Sequence, residues 1–136
     1  AAILQKGFER EGLVEIEVTS AGTGAWEGAP ASEGTYLVGL EHGLDLSAHR
    51  ARLLTKKLVE ESDLILAMSR PHLARVRELG GGGRAHLIGE YAGMTGDHAE
   101  VPDPYGGELE EYRATLRTLE ALAPAVIARA TGAPPP

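Results

Sequence analysis

The sequence predicts an α/β domain built on a doubly wound parallel sheet with helices on both faces, and three observations support this. Residues 64–68, LILAM, form a continuous apolar run, as expected of a strand covered on both sides. Val14, Ile16 and Val18 alternate with Glu15 and Glu17, the period of a strand with one wet face. Around these strands apolar residues recur at helical spacing, and strands alternating with helices imply a parallel sheet.

The elements follow in chain order. Residues 1–10 read as an amphipathic helix with no capping residue ahead of it, a pattern unlike a signal peptide. VEIEV, residues 14–18, is expected to be a strand at the edge of the sheet, where Glu15 and Glu17 can reach water. SAGTGAWEGAPAS, residues 20–32, is a Gly-rich loop. A helix then runs from about Ser32 to His42 and stops at Gly43. Thr55 can cap the short helix KKLVEES. LILAM is the central strand. Ser69 and Pro71 open a helix that turns Leu73, Val76 and Leu79 inward and ends in Gly80, Gly81, Gly82 and Gly83. HLIG, residues 86–89, is a third strand, and a loop covers residues 91–107. The last helix places Leu109, Tyr112, Leu116, Leu119, Ala123 and Val126 on one stripe. Pro124 should kink or shorten it, because the ring displaces a backbone hydrogen bond. One domain over residues 1–130 and a flexible tail at 131–136 account for the chain.

Three strands are few for such a fold, and the first helix has no strand leading into it. The complete sheet is therefore expected to have four strands, three of them in this chain, with the absent one between VEIEV and LILAM.

Composition narrows the functional classes. A chain of 136 residues suits one α/β domain. Its net charge of -7 argues against a general nucleic-acid binder but leaves room for a local phosphate site. With 0 cysteines, these residues hold no disulfide and no thiolate. No apolar run approaches the roughly 20 residues of a membrane span, and the cytoplasm is the default location. His42, His49, His72, His86 and His98 lack metal-ligand spacing.

Chemistry in such folds gathers beyond the carboxyl ends of the strands, which points to Ser20 and its loop, Ser69, Glu90 and the loop up to Gly107. PDPYGG, residues 102–107, is the sharpest signal. Pro102 and Pro104 stiffen the backbone around Asp103, so its carboxyl suits a general acid/base. An exposed aspartate in a turn explains the same residues. Gly22 and Gly24, with Asp45 further on, imitate a dinucleotide fingerprint. The next glycine is Gly28, however, and the loop runs on through Pro30 rather than opening a helix. Trp26, the sole tryptophan, either plugs the core or lines a site.

Taken together, SAGTGAW after an edge strand, LSAHRARLLT, SDLILAM and PDPYGG before a final helix resemble the low-molecular-weight protein-tyrosine phosphatases. The resemblance runs from Ala1 to about Ile127, and the EYAG…VPDPYGG segment is most similar to the bacterial branch that includes protein-arginine phosphatases. It implies a flavodoxin-like sheet and phosphoprotein hydrolysis through a phosphocysteine, without metal or cofactor. In that family a Cys-x5-Arg-Ser loop between the first strand and first helix attacks and holds the phosphoryl group. By motif match, Asp103 is the catalytic acid, Ser20 and His49 support the phosphate loop, and Trp26 and Tyr105 line the substrate cleft. The implied partners are a phosphorylated protein and phosphate or similar anions, with neither nucleic acid nor membrane.

This sequence departs from the family in lacking the cysteine loop, so a further N-terminal strand and loop are expected. Phosphotyrosine is the default substrate. Phosphoarginine is the alternative, because Gly106 stands where many tyrosine-specific members carry a second aromatic. A non-catalytic regulatory or binding domain is the reading of another class, should the loop be truly absent. Arsenate reduction would need cysteines that this chain does not have.

Overall fold

The computed structural model describes residues 1–13 and 15–132, apart from the side chains of Asp97 and His98. In chain order the elements are α1 (Ala2–Arg10), α2 (Glu33–Glu41), α3 (Lys56–Glu61), β1 (Ile65–Ala67), α4 (Arg70–Glu78), β2 (Ala85–Leu87), α5 (Ile88–Tyr91) and α6 (Leu109–Thr131). Single 3₁₀ turns lie at Gly82–Arg84 and Gly96–Ala99. Among the described residues, no helix is long and apolar enough to cross a membrane.

The helix starts follow local chemistry. Ser32 caps α2 by accepting the Thr35 N–H at 3.4 Å, and Thr55 caps α3 by accepting the Leu58 N–H at 3.2 Å. Gly43, past the end of α2, has φ +75°, a conformation that costs glycine no Cβ clash. Pro71 sits in the first turn of α4, where its missing N–H is not needed.

β1 and β2 pair in parallel, with Ile65, Leu66 and Ala67 opposite Ala85, His86 and Leu87. The two-residue period of a strand divides the apolar run between two cores. Ile65 and Ala67 pack with Val59 of α3, Leu73 and Val76 of α4, Leu87 and Ala99. Leu64, Leu66 and Met68 pack on the other side with Leu4 of α1, Ile88 and Tyr91 of α5, and Leu122 and Val126 of α6. This gives the expected parallel sheet with helices on both faces.

Several expectations need correction. The sheet has two strands among the described residues, not three. Of the strand expected at VEIEV, residues 15–18 join no ladder among the described residues, and Val14 lies outside them. Their backbone is met by a side chain instead, since the Gln5 amide donates to Ile16 O at 3.1 Å and accepts from Val18 N–H at 2.8 Å. The strand drawn at HLIG is Ala85–Leu87, while Ile88 and Gly89 begin α5. Beyond Ala67 the Met68 carbonyl accepts from Val101 N–H, so Ile88 meets no continuing β1 ladder. α6 runs past Pro124, so the proline does not shorten the helix. Pro124 is exposed, so the carbonyl it deprives of a partner can bond water, while Leu122, Ala123 and Val126 hold that turn in the core. Leu109 is exposed rather than part of the buried stripe. Thr131 belongs to α6 and residues 133–136 lie outside the described residues.

Gly34 of α2 sets how closely that helix meets α6. A Cβ at Gly34 would lie 2.6 Å from Cε2 of the Tyr112 ring. Alanine improves helix propensity by about 1 kcal/mol, but overpacking costs about 1–3 kcal/mol. Gly34→Ala should therefore lower the thermal midpoint by about 3–5 °C. A raised midpoint in calorimetry would show that propensity, not the Tyr112 contact, governs this position.

Candidate functional site

The rim of the sheet is built from the end of β1. Met68 O accepts the Val101 N–H at 2.8 Å, which lays the chain from Ala99 to Val101 beside the strand's carboxyl end. Ala99 and Val101 are buried and act as apolar anchors. Glu100 between them turns outward to α4. Its Oε2 accepts the Arg70 backbone N–H at 3.0 Å, and its Oε1 pairs with the Arg70 guanidinium. It thereby serves the helix start where Ser69, the residue at the cap, makes no side-chain bond. The Arg70 backbone N–H, and then its guanidinium, hold the Glu100 carboxyl below the usual carboxylate range. Arg70 also lies 3.9 Å from Glu90 at the end of α5.

Two residues beyond Val101 stands Asp103, exposed, between Pro102 and Pro104. Its Oδ1 accepts the Tyr105 N–H at 2.9 Å, and Pro104 O accepts the Gly107 N–H at 2.8 Å, closing a tight turn. Asp103 Oδ2 makes no hydrogen bond among the described residues. One oxygen thus fixes the turn while the other is unbonded among the described residues.

A second wall is laced to residues 50–54. Gly22 N–H donates to Arg52 O at 2.9 Å, Leu54 N–H to Gly22 O at 2.9 Å, Gly28 N–H to Ala51 O at 2.8 Å and Ala51 N–H to Ala29 O at 2.7 Å. Glu27 Oε2 completes the lacing by accepting the Leu53 N–H at 2.6 Å. Trp26 is held on this scaffold with 86% of its surface exposed, so it does not plug the core. It borders an open groove of about 740 Å³ with Arg52, Leu53, Lys57 and Leu58.

The structure groups the sequence-derived candidates in two sets. Asp103 and Tyr105 share one turn, and Tyr105 is 80% exposed. Trp26 and His49 lie on adjoining segments, joined by the bridge between Pro30 and Arg50. His49 is exposed in a turn, where its carbonyl accepts from Arg50 Nη1 at 2.7 Å and Asp45 Oδ1 accepts the Ser47 N–H at 2.9 Å. That N–H holds the Asp45 carboxyl below its usual range. The Ser20 hydroxyl and the His49 imidazole make no hydrogen bond among the described residues, and no hydrogen bond links the two sets.

Sequence reasoning missed Glu27, Arg70 and Glu100. Glu100 reads as part of a solvated turn, because nothing local shows that its partner lies 30 positions away. Glu27 likewise has its partner 26 positions away.

Comparison with known proteins identifies the family and the fold. The family model for low molecular weight phosphotyrosine protein phosphatase matches residues 1–131. The low molecular weight protein-tyrosine-phosphatase Wzb of Escherichia coli K12 is 35% identical over 108 residues, spanning 78% of this chain and 71% of that protein. The protein-arginine-phosphatase of Bacillus subtilis is 33% identical over 121 residues, spanning 89% of this chain and 79% of that one. The solved low molecular weight protein tyrosine phosphatase of T. tengcongensis superposes with a TM-score of 0.85 at 33% identity, covering 94% of this chain and 86% of that chain.

Two measurements test the site's geometry. Trp26 fluorescence should be strongly quenched by acrylamide and shift little when the protein unfolds, whereas a native emission that reddens on unfolding would mean a buried indole. For Glu100, a depressed folded pKa means that its contribution to stability is present above the ordinary glutamate value of about 4.3 and is lost as pH falls through the folded value. The gap in thermal midpoint between wild type and Glu100→Gln should be constant near neutral pH and close in acid. A gap independent of pH would exclude a charged role for Glu100.

Proposed function

Because the chain belongs to the low molecular weight phosphotyrosine protein phosphatase family, we propose that it forms the acid-bearing part of a phosphoprotein phosphatase working through a phosphocysteine. The observation that carries this reading is the Asp103 turn at the end of β1, with one carboxylate oxygen fastened and the other unbonded within the protein. These 136 residues contain no cysteine, so in this reading the thiolate comes from a loop outside them. The thiolate attacks phosphorus, the S–P bond forms as the bond to the leaving oxygen breaks, and Asp103 delivers its proton to that oxygen. Asp103, now ionised, then takes a proton from the water that attacks the phosphocysteine. Inorganic phosphate leaves and the thiolate is restored. Ser20 and His49 brace the phosphate-holding loop, while Trp26 and Tyr105 flank the phosphorylated side chain. A free thiolate suits a reducing compartment, and we assign the cytoplasm.

Phosphotyrosine is the substrate by family membership. One observation favours phosphoarginine as a second reading. Gly106 has φ +81°, so a second aromatic at this position would carry left-handed strain, and the wall beyond Asp103 has the single ring of Tyr105. Turnover of matched phosphotyrosine and phosphoarginine peptides separates the two.

The acid role is tested in the enzyme carrying its cysteine loop. Asp103→Asn should lower turnover by about 10²–10⁴-fold for aryl phosphates with poor leaving groups. The loss should shrink for nitrophenolate, which departs with little help, and inhibition by inorganic phosphate should stay unchanged. An equal loss across the leaving-group series would reduce Asp103 to a turn residue. His49→Ala should instead weaken both phosphate binding and turnover.

A further inference from the structure

The segment that carries Asp103 is fastened by a side chain that the phosphoryl chemistry does not use. Val101 is tied to the end of β1 through Met68 O, and its side chain is buried. Glu100, one residue earlier, has both carboxylate oxygens committed to one residue: Oε2 to the Arg70 backbone N–H and Oε1 to the Arg70 guanidinium. Pro102 follows Val101 directly and Pro104 follows Asp103, and each ring fixes its own φ near -65°. The orientation set at Glu100 and Val101 is therefore passed on through a stiff backbone to the carboxyl at 103.

We propose that Glu100, through Arg70, is a positioning residue for Asp103: the pair pins the acid-bearing loop to the first turn of α4 and so sets where the proton is delivered. The proposal rests on Asp103 being the general acid. The energetics favour a geometric role. Arg70 and Glu100 are both partly exposed, and an ion pair in that setting adds little to folding stability. A small displacement of an acid from the leaving oxygen is costly by contrast, with about 1 Å worth up to about 10²-fold in rate. Glu90 is 3.9 Å from Arg70, so without Glu100 the guanidinium has another carboxylate to follow.

The test uses the enzyme carrying its cysteine loop and compares Glu100→Gln, Arg70→Gln and the double variant with Asp103→Asn. Each is assayed on aryl phosphates of graded leaving-group pKa, and its thermal midpoint is measured alongside. Each single variant should lose about tenfold to a hundredfold in kcat on the poorest leaving group, with much less loss on nitrophenolate and KM unchanged. The double variant should lose no more than either single one, because the two residues act through one link. A uniform loss across the series would overturn the proposal, as would full activity of Glu100→Gln beside a graded loss in Asp103→Asn; the latter leaves the acid assignment standing. No graded loss in Asp103→Asn would overturn the acid assignment and this proposal with it. Variants that unfold at the assay temperature would show that the pair carries the fold rather than the acid's placement, which also contradicts the proposal.

Discussion

β1 packs against helices on both faces, so its alternating side chains must serve two cores at once, and this constraint orders the helices around it. Ile65 and Ala67 draw α3 and α4 to one side of the sheet. Leu64, Leu66 and Met68 draw α1, α5 and α6 to the other. A one-residue slip would exchange the two sets and leave each core with side chains of the wrong size. With the register fixed, the Met68 carbonyl has one position, and the N–H that donates to it, Val101, lies on the segment leading to Asp103.

From that point the site is a matter of where polar groups are committed and where they are left free. The Glu100 carboxylate and one oxygen of Asp103 are used to hold backbone N–H groups, as is the Glu27 carboxylate beside Trp26. Each bond turns a flexible loop into a support of defined geometry, and each sits beside a group left to solvent: Trp26, Tyr105 and the second Asp103 oxygen. A chain of net charge -7 can host an anion this way only if the cations and amides are local.

What the sequence made legible was whatever depends on near neighbours. Thr55 and Ser32 announce their helices because their partners lie three residues away. LILAM announces a doubly covered strand because its composition leaves no polar face. Four weak motifs in order identify the family, because their spacing encodes one topology. The failures share the opposite property. VEIEV has strand periodicity, but a strand exists only with a partner, and Gln5 takes up the backbone groups of Ile16 and Val18 instead. HLIG was too long by the residues that lie past the end of β1. Pro124 does not shorten α6, because its cost depends on exposure, which the local pattern does not reveal. Glu100 and Glu27 were passed over because each reaches a backbone N–H more than twenty positions away.

The central claim is that the end of β1 anchors the segment carrying Asp103. Amide hydrogen exchange at Val101 tests it directly. If Met68 O holds that N–H as described, Val101 should exchange as slowly as the amides of the β1–β2 ladder, because releasing it requires opening the same core. Exchange as fast as that of an exposed loop amide, such as Gly106, would contradict the account, since the rim would then have no fixed attachment to the sheet.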